Sequence, residues 1–496
     1  MSLPPCPAPF NMAAHVLQHA RTAPDKIALE VLGDAPERWT YAALARAVGG
    51  VASGLLEMGL RPGDRVVIRL GHSVDVPLVH LAALAVDLVP IPVSSQLTAA
   101  ELTPMARHVA PALVVQDPAL AAPDIAAPVV GPDRLAAWRS LPPAAFAMGD
   151  PDRPGYIVFT SGTTKTPRAV LHAHRAVWAR QAMIRDWADM RATDRVLHAG
   201  AFNWTYTMGT GLMDPWTVGA TALIAAPPAR PDALGVLLSA ARATIFAAAP
   251  GVYRQMLRHP VPELPDLRHG LCAGEKLTEP LRDAWRAATG TDLHEAFGQS
   301  ECSTFISGAP HGPAPPDTLG RAQGGRAVAV LGLDGPLSAD TPGELAIRAD
   351  DPGLMLGYLG DPAATAERHR DGWFLTGDRG QIDRDGWVRY LGRMDDLLNA
   401  GGFRVSPLEI EAVAESFPDL REAAAITREV RAGVSVIALC YAADRALDET
   451  ALARHCEARL ARYKQPRVFE RVDALPRSAN GKLMRRALAK TDEDRP

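Results

Sequence analysis

Tyr156-Ile-Val-Phe159 runs without a break into Thr160-Ser-Gly-Thr-Thr-Lys165-Thr-Pro-Arg168. Four apolar or aromatic residues in a row have the length and composition of a buried strand. The loop that follows combines small residues, which let the backbone approach a ligand closely, with hydroxyls and two cations. Converging N–H groups, hydroxyls and the charges of Lys165 and Arg168 suit the oxygens of a polyphosphate. A helix is expected to begin near His174, giving the order strand, loop, helix. The spacing is not GxxxxGK[ST], which removes the main support for a P-loop kinase or ATPase. Taken alone, a Ser/Thr/Gly cluster is also ordinary turn chemistry.

Outward from this segment, the sequence alternates between helix and strand patterns. Leu44, Val48, Val51 and Leu55 recur at helical spacing between Tyr41 and Gly59, before the strand-like Arg65-Val-Val-Ile-Arg-Leu70. A further helix from about Val76 precedes Val89-Pro-Ile-Pro-Val93, and similar alternation runs to about residue 300. Such alternation predicts mainly parallel sheets covered by helices. Residues 111–154, rich in proline and alanine, read as connecting structure. Past Gly320 short strand candidates lie between Gly, Asp and Pro turns, as in a β-rich subdomain. Ser406 as N-cap, Pro407 at the first helical position and Glu409 three residues after the cap open a helix of a compact α+β tail. The fold class expected is therefore α/β. A large N-terminal domain, residues 1–393, holds mixed parallel sheets flanked by helices plus the β-rich subdomain, and a small α+β domain, residues 394–496, follows.

The chain has 496 residues, enough for more than one core, with 47% apolar and 22% charged residues, the balance of an ordinary globular protein. The net charge of −4 gives no overall attraction to nucleic acid or an anionic membrane, so neither is expected as a partner. Five scattered cysteines without a CxxC pair argue against a disulfide framework and a zinc site, and favour a reducing, cytoplasmic setting. No stretch reads as a signal peptide or a membrane span. The pair His172 and His174 lacks a third ligand in spacing, so no metal is assigned there.

Four further segments stand in order after the loop: Phe297-Gly-Gln-Ser-Glu301; Thr376-Gly-Asp378; Gly392-Arg-Met-Asp-Asp396 with Gly401-Gly-Phe-Arg404; and Pro476-Arg-Ser-Ala-Asn-Gly-Lys482. Together with the loop they resemble the signatures of the AMP-forming adenylating superfamily, which comprises acyl-CoA synthetases, peptide-synthetase adenylation domains and luciferases. The likeness spans nearly the whole chain. Trp204 through Asp214-Pro-Trp216 resembles most the medium-chain acyl-CoA and benzoate-CoA ligase branches.

This resemblance implies a ligase that converts a carboxylic acid, medium-chain fatty or aromatic, and ATP into acyl-AMP with release of pyrophosphate. The acyl group then passes to coenzyme A. It also implies roles. Thr160, Ser161, Gly162, Thr163, Thr164 and Lys165 would bind ATP phosphates, and Gly274, Glu275, Lys276, Phe297, Gly298 and Gln299 would surround the nucleotide. Glu301 would hold Mg2+, with Ser300 as a hydroxyl donor to the α-phosphate. Asp378 and Arg393 would hold the ribose, and Lys482 would be the adenylation lysine. Asp395 would be the hinge of a domain alternation between the two half-reactions, after which Gly401, Gly402 and Arg404 would face CoA. Phe202, Trp204 and Met208 would shape the acyl pocket.

The loop departs from the superfamily pattern TSGTTGxPKG: Lys165 stands for a glycine, Arg168 for a lysine and Ala169 for a glycine. Its charge survives and its flexibility does not. The alternative function is a stand-alone adenylation enzyme that loads a carrier protein. A nucleotide-binding protein without turnover is a third reading, opposed by the retention of Glu301, Asp378 and Lys482. An amino-acid substrate is disfavoured, because Phe202-Asn-Trp-Thr-Tyr206 has no aspartate to pair with an α-ammonium. A homodimer is the expectation for a soluble enzyme of this kind.

Overall fold

The computed structural model describes residues 3–160, 167–226, 230–394, 398–400, 403–431, 434–460, 462–477 and 483–488. The chain forms two compact units, one of residues 1–327 and 347–374, the other of residues 328–346 and 375–496. The division falls inside two strands, Gly343–Arg348 and Trp373–Ile382.

The larger unit is built on a nine-stranded sheet. Six strands are parallel, in the spatial order Leu293–Gln299, His269–Ala273, Ile245–Ala248, Arg195–His198, Thr221–Ala225 and Ile27–Leu32. Glu37–Thr40 closes one edge antiparallel, and Ser303–Ser307 with Arg321–Ala322 closes the other. The central strands His269–Ala273 and Ile245–Ala248 are buried at every residue, as expected where helices cover both faces. A second, wholly parallel sheet has the order Val89–Pro92, Arg65–Arg69, Leu113–Gln116, Val129–Val130.

Two of its strands correct the reading of residues 111–154 as connecting structure, because Leu113–Gln116 and Val129–Val130 extend this sheet and Pro132–Trp138 is a helix. Strands of four and two residues leave too little periodicity to stand out against the surrounding prolines and alanines. The helix Tyr41–Glu57 forms as its pattern predicts, with Leu44, Val48, Val51 and Leu55 fully buried and Thr40 accepting the Ala43 N–H at 3.2 Å.

In the smaller unit, Leu420–Arg431 pairs antiparallel with Val434–Ala443, which pairs parallel with Val468–Arg471. Helices Pro407–Glu415 and Glu449–Glu457 contribute Ile410, Ala414, Leu452 and Cys456 to its core. The helix at Pro407 begins where expected, but its N-cap differs. Ser406 makes no capping bond, because its hydroxyl donates to the Leu391 carbonyl at 2.7 Å, and Glu409 pairs with Lys464 at 2.6 Å. The fold is thus mixed α/β, a large unit with parallel sheets and a smaller α+β unit, in agreement with the class read from the sequence.

Candidate active site

The segment quoted at the outset folds differently from its expected strand, loop and helix. Pro154–Thr160 and Arg168–Ala173 are antiparallel partners, with Thr160 opposite Arg168. Residues 161–166 therefore connect the two arms of a hairpin, and the helix beyond, Ala176–Ala179, is a single turn. The strand Arg168–Ala173 lacks period-two burial, with Arg168 and Leu171 partly exposed, each before a buried pair, so its sequence does not stand out as a strand. Ser161, Gly162, Thr163, Thr164 and Lys165 lie outside the described residues.

Leu293–Gln299 turns back antiparallel into Ser303–Ser307, so Ser300 and Glu301 sit at the tip of a second hairpin. Gly298 is required there, since a Cβ on it would lie 2.0 Å from the Ser303 carbonyl oxygen. Three contacts hold the tip: His172 Nε2 meets the Ser300 carbonyl at 2.7 Å, the Met355 N–H donates to the Glu301 carbonyl at 2.7 Å, and Phe297 packs edge-on against Phe305. Burial pushes the His172 imidazole down to about 4, so it is neutral and Nε2 donates.

The Glu301 side chain is buried, and Tyr358 donates its hydroxyl to Oε1 at 2.8 Å. Among the described residues Glu301 has no ion-pair partner. The nearby guanidinium of Arg168 lies over the Tyr358 ring, 5.0 Å from its centroid. Burial, followed by the Glu301 charge, raises the Tyr358 phenol, which keeps it a neutral donor. A hard carboxylate oxygen, buried and, among the described residues, hydrogen-bonded by a neutral phenol, fits a divalent cation. No group of three or more His, Cys, Asp or Glu able to hold a metal occurs among the described residues.

Gly274 has φ +95°, and the space beside its α-carbon ends on the Trp204 ring, 3.8 Å from where a Cβ would stand. Glu275 pairs with Arg254 at 3.2 Å, and Lys276 is exposed. The next residue, Leu277, donates its N–H to Glu295 at 2.9 Å, which ties this loop to the strand that carries Phe297, Gly298 and Gln299. Phe202 and Met208 are buried, while Trp204 is half-buried and packs with Tyr206 against the cluster containing Ala273 and Ala296.

In the other unit, Asp378 lies within the strand Trp373–Ile382 and not on the turn its Gly-Asp sequence suggests. It faces Arg393 across the antiparallel pair, 3.5 Å between Oδ2 and Nη1, and accepts from the Tyr390 hydroxyl at 3.1 Å. Asp395, Gly401, Gly402 and Lys482 lie outside the described residues. Arg404 stands opposite Asn399 in the hairpin Leu398–Ala400 and Phe403–Val405, whose arms flank the two glycines. The flanks of Lys482 are tied down, since Arg477 bridges Leu483, Met484 N–H donates to the Pro476 carbonyl, and Arg485 pairs with Glu411 at 2.7 Å.

Sequence reasoning missed Tyr358, Tyr390 and the structural role of His172. Only the sequence Gly357-Tyr358 before a capped helix, Asp361 on the Ala364 N–H, hinted at an ordered segment. It also missed Arg180, which is buried, grips Asp214 with two bonds of 2.6 Å and donates to Ser303 at 2.7 Å. The Asp214-Pro-Trp216 motif thereby connects to the hairpin of Glu301.

Comparison with known proteins matches residues 16–359 to the model of an AMP-binding enzyme and residues 409–482 to that of the AMP-binding enzyme C-terminal domain. A benzoate–CoA ligase from Thauera aromatica is 31% identical, with 90% of each chain covered. The mitochondrial acyl-coenzyme A synthetase ACSM3 of Rattus norvegicus is 27% identical over 92% of this chain and 84% of its own. ATP-bound MatB from Rhodopseudomonas palustris superposes with a TM-score of 0.90 at 27% identity, covering 98% of this chain and 99% of that one.

Proposed function

The chain belongs to the AMP-binding enzyme family, and from that premise we propose that it is an ATP-dependent acyl-CoA ligase for a medium-chain or aromatic carboxylic acid. In the first half-reaction the substrate carboxylate attacks the α-phosphorus of ATP and pyrophosphate leaves. In the second the CoA thiol attacks the acyl carbon and AMP leaves. The observation that carries this reading is the likeness to a benzoate–CoA ligase over 90% of both chains. Named CoA ligases among the relatives favour CoA over a carrier protein as acceptor.

Both steps bring anions together, so the protein's main work is positioning and charge stabilisation. Glu301 would hold magnesium, which when bound supplies positive charge against the phosphate oxygens. Ser300 and residues 160–165 bind the phosphates, and Gly274, Glu275, Lys276, Phe297, Gly298 and Gln299 surround the nucleotide. Asp378 accepts the ribose hydroxyls while Arg393 offsets its charge. Lys482 bridges the acid and the α-phosphate. Residues 394–496 form the mobile domain, turning at Asp395 and bringing Gly401, Gly402 and Arg404 to CoA. Phe202, Trp204 and Met208 wall the acyl group. No helix among the described residues is long and apolar enough to cross a membrane, and we place the enzyme in the cytoplasm as a homodimer.

The test is AMP and thioester formation by mass spectrometry with ATP, magnesium and a panel of acids, each with and without CoA. Conversion of one acid to its CoA thioester with stoichiometric AMP is expected. Acyl-AMP that CoA leaves untouched would shift the reading to carrier loading, and ATP binding without AMP would end it.

A further inference from the structure

Residues 302–304, directly after Glu301, are held by two arginines that come with their own aspartates. Arg180 donates from Nε and Nη2 to Asp214 at 2.6 Å each, from Nη2 to Thr210 Oγ1 at 3.1 Å, and from Nη1 to Ser303 Oγ at 2.7 Å. Arg326 donates to Asp351 at 2.9 and 2.6 Å, to the Thr304 carbonyl at 2.7 Å and to the Cys302 carbonyl at 3.1 Å. The four charged side chains are at most 5% exposed. Glycines make room for both guanidiniums, Gly209 beside Arg180 and Gly353 beside Arg326, where a Cβ would clash with the charged group.

The two pairs converge on a backbone that needs holding. Ser303 has φ +59°, a left-handed conformation uncommon outside glycine, and it stands opposite Gln299 in the closing pair of the hairpin whose tip carries Ser300 and Glu301. Arg326 fixes the carbonyls on either side of Ser303, and Arg180 fixes its side chain. Asp351 also begins the segment that reaches Glu301 twice, through the Met355 N–H to its carbonyl and the Tyr358 hydroxyl to its carboxylate. A buried ion pair is often no more stabilising than apolar side chains of the same volume. What it offers here is placement, because the planar guanidinium keeps its N–H groups in fixed directions. Its aspartate cancels its charge, so that it adds no net repulsion to a cation nearby.

We propose that Arg180 is a positioning residue for the cation at Glu301. Through Ser303 Oγ it holds the hairpin in the register that aims the carboxylate, and Asp214 takes its charge out of the cation's surroundings. The inference rests on the ligase reading above, in which Glu301 holds magnesium, and gives a role to a buried pair outside the segments that resemble the superfamily signatures.

The experiment measures Mn2+ binding by electron paramagnetic resonance in the presence of α,β-methylene-ATP, which cannot release pyrophosphate. It is run with thermal melting on the wild type, Ser303→Ala and the double variant Arg180→Met/Asp214→Leu. Ser303→Ala removes one hydroxyl and leaves the ion pair intact. The double variant replaces the pair with apolar side chains, a change that buried pairs often tolerate. The Mn2+ dissociation constant should rise about fivefold or more in both variants, within what one lost hydrogen bond can transmit, while Ser303→Ala melts close to the wild type. Should the double variant fail to fold, Ser303→Ala decides alone. Mn2+ affinity unchanged in Ser303→Ala, whether or not its melting temperature falls, would mean that Arg180 only supports the fold and would overturn the inference while the ligase reading stands. No Mn2+ binding by the wild type would overturn the cation role of Glu301 and this inference with it, and AMP and thioester formation would still decide the ligase reading separately.

Discussion

Two buried acids, one in each compact unit, are held in opposite ways. Asp378 comes with its own cation, Arg393, across a strand pair, together with the Tyr390 hydroxyl. Among the described residues the Glu301 side chain has the neutral Tyr358 phenol as its partner and no ion pair, and the neighbouring Arg168 guanidinium lies over the face of that ring. An acid whose charge is already offset is suited to neutral donors such as ribose hydroxyls. A buried acid without a cation is costly and gains most from one arriving with the substrate. The contrast is the reason for proposing different partners for the two carboxylates, magnesium for Glu301 and the ribose for Asp378.

The strongest way to break the contrast is Glu301→Gln, which can still accept from Tyr358 while losing the charge. ATP–pyrophosphate exchange should fall by about 10²–10³-fold, the size of losing one preorganised charge contact. Asp378→Asn should be milder, weakening apparent ATP affinity by about 10–100-fold, in line with losing charge-assisted bonds, and leaving the magnesium requirement alone. Tyr358→Phe removes a single 2.8 Å bond worth about 1 kcal/mol, so a change of about fivefold in exchange rate is expected. A loss as large as that of Glu301→Gln would show that the phenol, not the carboxylate charge, is what matters.

Glu295 sharpens the contrast from the side of stability. It is a third buried acid, two strand positions before Phe297, and burial pushes its carboxyl from 4.5 up to about 7 against the opposing Leu277 N–H and Arg282. Between those values the folded protein keeps a proton that the unfolded chain releases, so this group's contribution to stability declines as pH rises through the window. Glu295→Gln retains an acceptor for Leu277. Thermal melts should show the variant gaining on the wild type from pH 5 to pH 8, by at most about 3 kcal/mol. A difference that is flat with pH would mean that Glu295 titrates normally.

The periodic elements were legible because burial of a repeating face is a local property. Leu44, Val48, Val51 and Leu55 announce their helix, and Val66, Val67 and Ile68 their strand. The Pro407 start was legible too, but not its cap, since Ser406 turns to the Leu391 carbonyl fifteen residues earlier. The hairpin after Phe159 was misread because Arg168–Ala173 lacks the alternation that marks a strand. Short motifs located Glu301 and Asp378. What they could not reveal were the partners that set each acid's character, because Tyr358 lies 57 residues from Glu301 and reaches it through the pairing of Gly357–Tyr358 with Val170 and Leu171 and the Met355 N–H bond to the Glu301 carbonyl.

The central claim, that Glu301 serves a cation and Asp378 the ribose, is tested most directly by titrating magnesium in the exchange assay at saturating acid for the wild type, Glu301→Gln and Asp378→Asn. The account predicts that the half-saturating magnesium concentration rises about tenfold or more in Glu301→Gln alone, one lost ion contact being worth roughly 1.4 kcal/mol or more. Equal shifts in both variants, or a shift in Asp378→Asn only, would contradict it.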